Sequence, residues 1–199
     1  MKKISAIIVL AIALLLGGCL KNPFATRHSE PPEGIVTGTW EPPVAPEAVL
    51  RNLLNAYNEK DDQNYQSCLA DNFVFSAPED SISHSSGNLY DGWNKIIELG
   101  TAQNIFSTFS LSGHQLILSM NLLSNNPDST GDTVAVLYRN YNIQIIVADS
   151  LGIHTRTAQG TAMFRLSSQG GYWNVYFWQD IPEPIGSFDW AQFKAEYRH

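Results

Sequence analysis

Few residues in this 199-residue chain have the type and spacing to do chemistry, and most of those have a simpler use. The five histidines, at positions 28, 84, 114, 154 and 199, are scattered, with no His-x-x-x-His or carboxylate–histidine pair. They read as surface or strand-end polarity, so no metal site is expected. Asp61-Asp62 suits a helix cap and Glu79-Asp80 a solvated loop, not an acid–base pair. Neither a glycine-rich phosphate loop nor a Gly-x-Ser-x-Gly elbow occurs, and no cofactor is implied. Cys68 has no basic neighbour in sequence to stabilise a thiolate, so it reads as a small buried residue on a helix. Two side chains stand out instead. Arg139 and Tyr141 fall on the face of a strand that should point inward, where they could be polar handles among apolar walls.

Cys19 has its own context. Met1-Lys2-Lys3 precedes the apolar run Ile4–Leu16 and then Gly17-Gly18-Cys19, the layout of a secretory signal peptide. At about 1.5 Å per residue that run spans about 20 Å, short of the roughly 30 Å hydrocarbon layer. Leu16-Gly17-Gly18-Cys19 also resembles a bacterial lipobox. The resemblance implies cleavage before Cys19, diacylglyceryl transfer to its sulfur and a membrane anchor, with Leu20 favouring the outer membrane over the inner. Residues 1–18 are then signal peptide and 19–45 a lipidated, proline-broken tether, with a domain over 46–199. Trp40 is the one tether residue suited to dock on the domain. The formal charge is −7, and −9 once Lys2 and Lys3 are gone. That acidity, without a Lys/Arg cluster, excludes nucleic-acid binding.

The elements that must position Arg139 and Tyr141 follow from periodicity. Pro46-Glu47 opens a helix carrying Val49, Leu50, Leu53, Leu54 and Tyr57 as one apolar stripe. Asp61 or Asp62 caps a short second helix bearing Tyr65, Cys68 and Leu69, and Phe73-Val74-Phe75 is a short strand. Ala77–Asn88 reads as loop. Asp91 caps a third helix through Phe106, with Trp93, Ile96 and Ile97 on one side. Strands follow near 109–123, 133–148, 153–167 and 172–180. Pairing Asp149 with Gly152 sets Leu137, Tyr141 and Ile143 opposite Phe164, Gly160 and Ala158, a buried face that fails only where Ile145 meets Arg156. Pairing Leu166 with Trp173 puts Val175 and Phe177 on that same face.

Two surfaces result. Inside, Arg139, Ala162 and Phe177 form one row and Tyr141, Gly160 and Gln179 the next. The small residues either leave a pocket for a small hydrophobic ligand or are filled by helix aromatics such as Trp93 and Phe106. Outside, Tyr138, Met163 and Tyr176 form one row and Asn140, Thr161 and Trp178 the next. This aromatic patch suits a homodimer or other interface; equally, the C-terminal segment with Phe188, Trp190, Phe193 and Tyr197 could fold over it.

Helices first and a long antiparallel sheet after define an α+β class. The segment PEAVLRNLLNAYNEKDDQNYQSCLADNFVFSAP at Pro46–Pro78 and the closing GYWNVYFWQD at Gly171–Asp180 resemble the nuclear transport factor 2-like superfamily. That group includes ketosteroid isomerases and SnoaL-like cyclases. The resemblance implies a cystatin-like cone, N-terminal helices packed on a curved antiparallel sheet. Aligned to the isomerases, Leu53 and Ala77 stand where the catalytic Tyr and Asp would be, so that proton-transfer pair is missing. The expectation is a non-catalytic ligand-binding or protein-interaction module held at the cell envelope. The alternative is an enzyme acting on a small hydrophobic substrate through Arg139 and Tyr141, and a purely structural envelope role is a third reading.

Overall fold

The computed structural model describes residues 38–83 and 89–198. The signal peptide, Cys19 and the tether up to residue 37 lie outside the described residues, as do His28, His84 and His199. Five helices and six strands are described: α1 Pro46–Glu59, α2 Asp62–Cys68, β1 Leu69–Ser76, α3 Pro78–Ser83, α4 Lys95–Phe109, β2 Gln115–Leu122, β3 Ser129–Thr130, β4 Val134–Asp149, β5 Gly152–Gln169, β6 Tyr172–Pro182 and α5 Trp190–Ala195. The helices pack on a curved sheet of order β1-β6-β5-β4-β2, with the two-residue β3 beside β4. The sheet is mixed rather than wholly antiparallel, because β1 runs parallel to β6. Among the described residues no helix is long and apolar enough to cross a membrane.

The first helix forms as its sequence suggests. Pro46 sits in its first turn, and Val49, Leu50, Leu53 and Tyr57 are buried along one stripe. It ends at Lys60, whose φ of 60° turns the chain and whose ammonium donates to Leu116 O at 2.8 Å. Residues just before it lie against the domain: Trp40 packs on the core, and Trp173 N–H donates to Pro43 O at 2.8 Å. Asp61 caps α2 through Asn64 N–H at 2.9 Å.

Helix α4 starts and ends three residues later than its sequence suggests. Trp93 O accepts from Phe75 N–H at 3.0 Å and Asn94 bridges Val74, so the chain is still pairing with β1 at the point where Asp91 should have capped. Asn94 caps instead, accepting from Ile96 and Ile97 N–H. The phase change turns Ile96 outward, 81% exposed, while Trp93 is fully buried. Carrying the helix to Phe109 delays β2 to Gln115. Ala77–Asn88 is not wholly loop either, since α3 begins directly after Ala77.

The β4–β5 hairpin has the register read from sequence, with Asp149 opposite Gly152, Tyr141 opposite Gly160 and Ile143 opposite Ala158. The β5–β6 pairing does not. Gly170 and Gly171 both take positive φ, which permits a two-residue turn and pairs Leu166 with Val175. A bulge at Tyr176 then moves the register by one, so Phe164 faces Trp178 and Arg165 faces Phe177. One extra residue inverts every side chain beyond it. Trp178 is therefore in the core, not on an outer interface, and Phe177 lies outside beneath the Arg165 guanidinium, not in an inner row. Trp178→Ala is expected to lower unfolding free energy by about 3–5 kcal/mol. Phe177→Ala should lower it by about 1 kcal/mol. Urea unfolding of the two variants checks this; the reverse order would restore the register without the bulge.

Candidate functional site

The inner face of the sheet and the helices above it enclose the space where a ligand would sit. That space is occupied by the C-terminal segment. Helix α5 does not cover the outer face; it enters the interior, where Trp190, Ala191, Phe193 and Lys194 are all buried. Trp190 packs edge-on against Trp178 at 4.4 Å and Tyr57 at 5.1 Å. Its indole N–H donates to Tyr57 Oη and its backbone N–H to Tyr141 Oη, both at 2.9 Å. Phe188 O accepts from Gln159 N–H, and Arg156 reaches along the edge to pair with Glu196 at 2.6 Å. That explains why Arg156 breaks the apolar face: it clamps the segment from outside.

Each residue expected at the site has a definite place. Tyr141 is inward, and its phenol fills the space that small Gly160 leaves; a Cβ there would lie 2.6 Å from Tyr141 Oη. Burial, then the charge of Asp180, raises the Tyr141 hydroxyl far above the ordinary phenol range, so it stays neutral. Ala162 is inward as expected, but its β6 neighbour is Asp180 rather than Phe177. Arg139 is nearly buried, and its Nη1 donates to Asp128 Oδ1 at 2.8 Å and Tyr138 O at 2.6 Å. It borders a shallow groove of 240 Å³ with Leu50, Leu54, Met120 and Leu122. Tyr138 and Met163 are paired on the outer face beside Gln179, while Tyr176 forms the bulge. Cys68 is buried, donates to Asn64 O at 3.3 Å, and is held as a neutral thiol by desolvation.

The charged centre of the interior was not anticipated from sequence. Glu98 on α4 and Lys194 on α5, each 1% exposed, pair at 2.8 Å. Tyr65 Oη donates to Glu98 Oε1, and Trp93 Nε1–H donates to Oε2 at 2.7 Å. The Lys194 ammonium also lies 3.4 Å from the ring centre of Trp178 and 4.0 Å from that of Phe75. Burial lowers the Lys194 pKa, and the opposing charge of Glu98 works to keep it protonated.

A second buried group lies at the start of α5. Asp80, Asp180 and Asp189, from α3, β6 and the α5 cap, each present an oxygen within 4.8 Å of the others. This is the one set of three possible metal ligands among the described residues, and Asp80 is buried rather than solvated. Asp180 Oδ2 accepts from Ala191 N–H at 2.7 Å, Asp189 Oδ1 from Gln192 N–H at 2.8 Å, and Asp80 Oδ1 from Gln192 Nε2 at 2.9 Å. Burial raises Asp180 to about 6; burial, then the charge of Asp180, raises Asp189 to about 8. Asp180 and Asp189 therefore hold protons that free carboxyls would release.

No family model and no curated protein sequence matches this chain. Solved structures do. A protein from Kribbella flavida aligns at 8% identity and TM-score 0.53, covering 74% of this chain and 92% of its own. A protein of unknown function from Mycobacterium tuberculosis aligns at 13% and 0.52, covering 76% and 82%. A protein of unknown function from Pseudomonas putida KT2440, described as NTF2-like, aligns at 12% and 0.49, covering 68% and 82%. At these identities the likeness is one of fold, and function must come from the site.

Two outcomes follow. Glu98→Gln or Lys194→Met alone leaves a buried charge without its partner and should cost about 3–5 kcal/mol in urea unfolding, whereas the double substitution should recover most of that loss. For the carboxyl group the sign is set by raised folded-state values. The folded chain keeps protons that the unfolded chain loses near the ordinary Asp value of about 3.9, so stability falls as pH rises from about 4 to about 8. Asp189→Asn keeps the cap and should flatten that slope, as measured by thermal melts across the interval.

Proposed function

We propose that this chain is a lipid-anchored cell-envelope protein whose domain binds and does not catalyse. One observation carries the reading of the domain: Trp190, Phe193 and Lys194 fill the volume where a substrate would stand. The reactive-looking side chains are engaged as well. Arg139 is paired with Asp128, and Tyr141 accepts from the α5 backbone. An enzyme using Arg139 and Tyr141 therefore has less support than a binding module, and Leu53 and Ala77 at the isomerase positions agree with that. On the outer face Tyr138 remains partly exposed, where a second copy or another envelope protein would bind, while Met163 beside it is buried.

The anchor rests on the sequence of residues 1–19, a charged start, a short apolar core and Leu16-Gly17-Gly18-Cys19. Two or more acyl chains, each buried methylene contributing about 0.8 kcal/mol, suffice for stable attachment. Leu20 and the acidic body favour the outer membrane and no role with nucleic acid. Metabolic labelling tests the anchor. Radioactive palmitate should enter the wild-type protein and not Cys19→Ala, and equal labelling of both would remove the lipid from the proposal.

A further inference from the structure

The carboxylate at the centre of the cone is set for an ammonium ion. Its two oxygens are oriented by Tyr65 and Trp93, and the rings of Phe75 and Trp178 face the same point. A fixed carboxylate with aromatic walls is the recognition chemistry of an alkylammonium group, worth more when water is excluded. The receiving parts come from α2, the turn before α4, α4 itself, β1 and β6. The ammonium comes from elsewhere, on a six-residue helix at the end of the chain. Receptor and occupant thus belong to different parts of the fold.

Holding α5 in place does not account for these charges. A buried ion pair contributes little net stability, and apolar residues of similar volume would often seat a helix at least as well. The attachment of α5 is also uneven. Trp190 and Phe193 hold it by burial, while its first turn rests on three crowded carboxyls and its end on the exposed Arg156–Glu196 pair.

We infer that the cone contains an alkylammonium-binding site that the chain fills with its own Lys194, so that an amine ligand and α5 compete for Glu98. This names a ligand class for the binding role proposed above and rests on that role, but on nothing at Cys19. The amine is a primary alkylamine, the group Lys194 itself presents.

The probe is n-propylamine, which matches the atoms removed by Lys194→Ala. In the mature chain that variant should melt at a lower temperature than wild type. The amine hydrochloride should restore most of the lost melting temperature with a saturating dose dependence, and 1-propanol should restore none. Glu98→Gln in the same background should abolish the restoration. The wild-type protein gives a second readout free of folding defects: the amine salt should speed amide hydrogen exchange across residues 188–198, and sodium chloride of equal strength should not. Restoration by 1-propanol as complete as by the amine, restoration that survives Glu98→Gln, or unchanged wild-type exchange would each overturn the inference. None of these readings depends on palmitate labelling, so the site and the anchor fail separately.

Discussion

One ammonium inside an aromatic and carboxylate shell governs how this domain closes. Lys194 cannot be buried without Glu98, and Glu98 cannot be buried without its donors, because an isolated charge in that interior would cost several kcal/mol. Tyr65 and Trp93 supply those donors from α2 and the turn before α4, and Lys194 on α5 supplies the opposing charge. Their shared dependence on one carboxylate fixes where three separate stretches of chain must meet. The position of α5 is part of this arrangement: burial of Trp190 and Phe193 seats the helix, and Lys194 meets Glu98 there.

The bulge at Tyr176 is what makes that shell available. Without the extra residue Trp178 would face outward, and the ammonium would lose its closest ring. Asp180 would turn out as well, leaving Ala191 N–H and Tyr141 without the carboxylate that now sits beside them. The same inversion moves Phe177 to the outer face. A single irregularity in one strand thus exchanges the roles of four consecutive side chains.

Structures of this general shape carry many unrelated functions, so the interior has to be judged on its own contents. Here they are a built-in helix, one ion pair and three clustered carboxyls, of which Asp180 and Asp189 hold their protons more tightly than free ones. Such an interior is rich in polar recognition yet closed by its own chain. Under the binding role proposed above, access to this interior would require the C-terminal segment to rearrange.

The sequence alone determined whatever depends on neighbours along the chain. The α1 stripe, a cap at Asp61 or Asp62, the α+β class and the β4–β5 register are local, set by periodicity, capping and a short hairpin that leaves one alternative face. Tertiary structure decided the remainder. Asn94 displaced Asp91 as a cap because a β-bridge to Val74, distant in sequence, held the chain extended. The Tyr176 bulge leaves no mark in an alternating pattern, since a one-residue slip keeps the same apolar composition. Glu98 and Lys194 carry no mark of each other in the sequence, and only folding brings them together. Their chemistry comes from losing water in each other's company, and no spacing in the chain records that event.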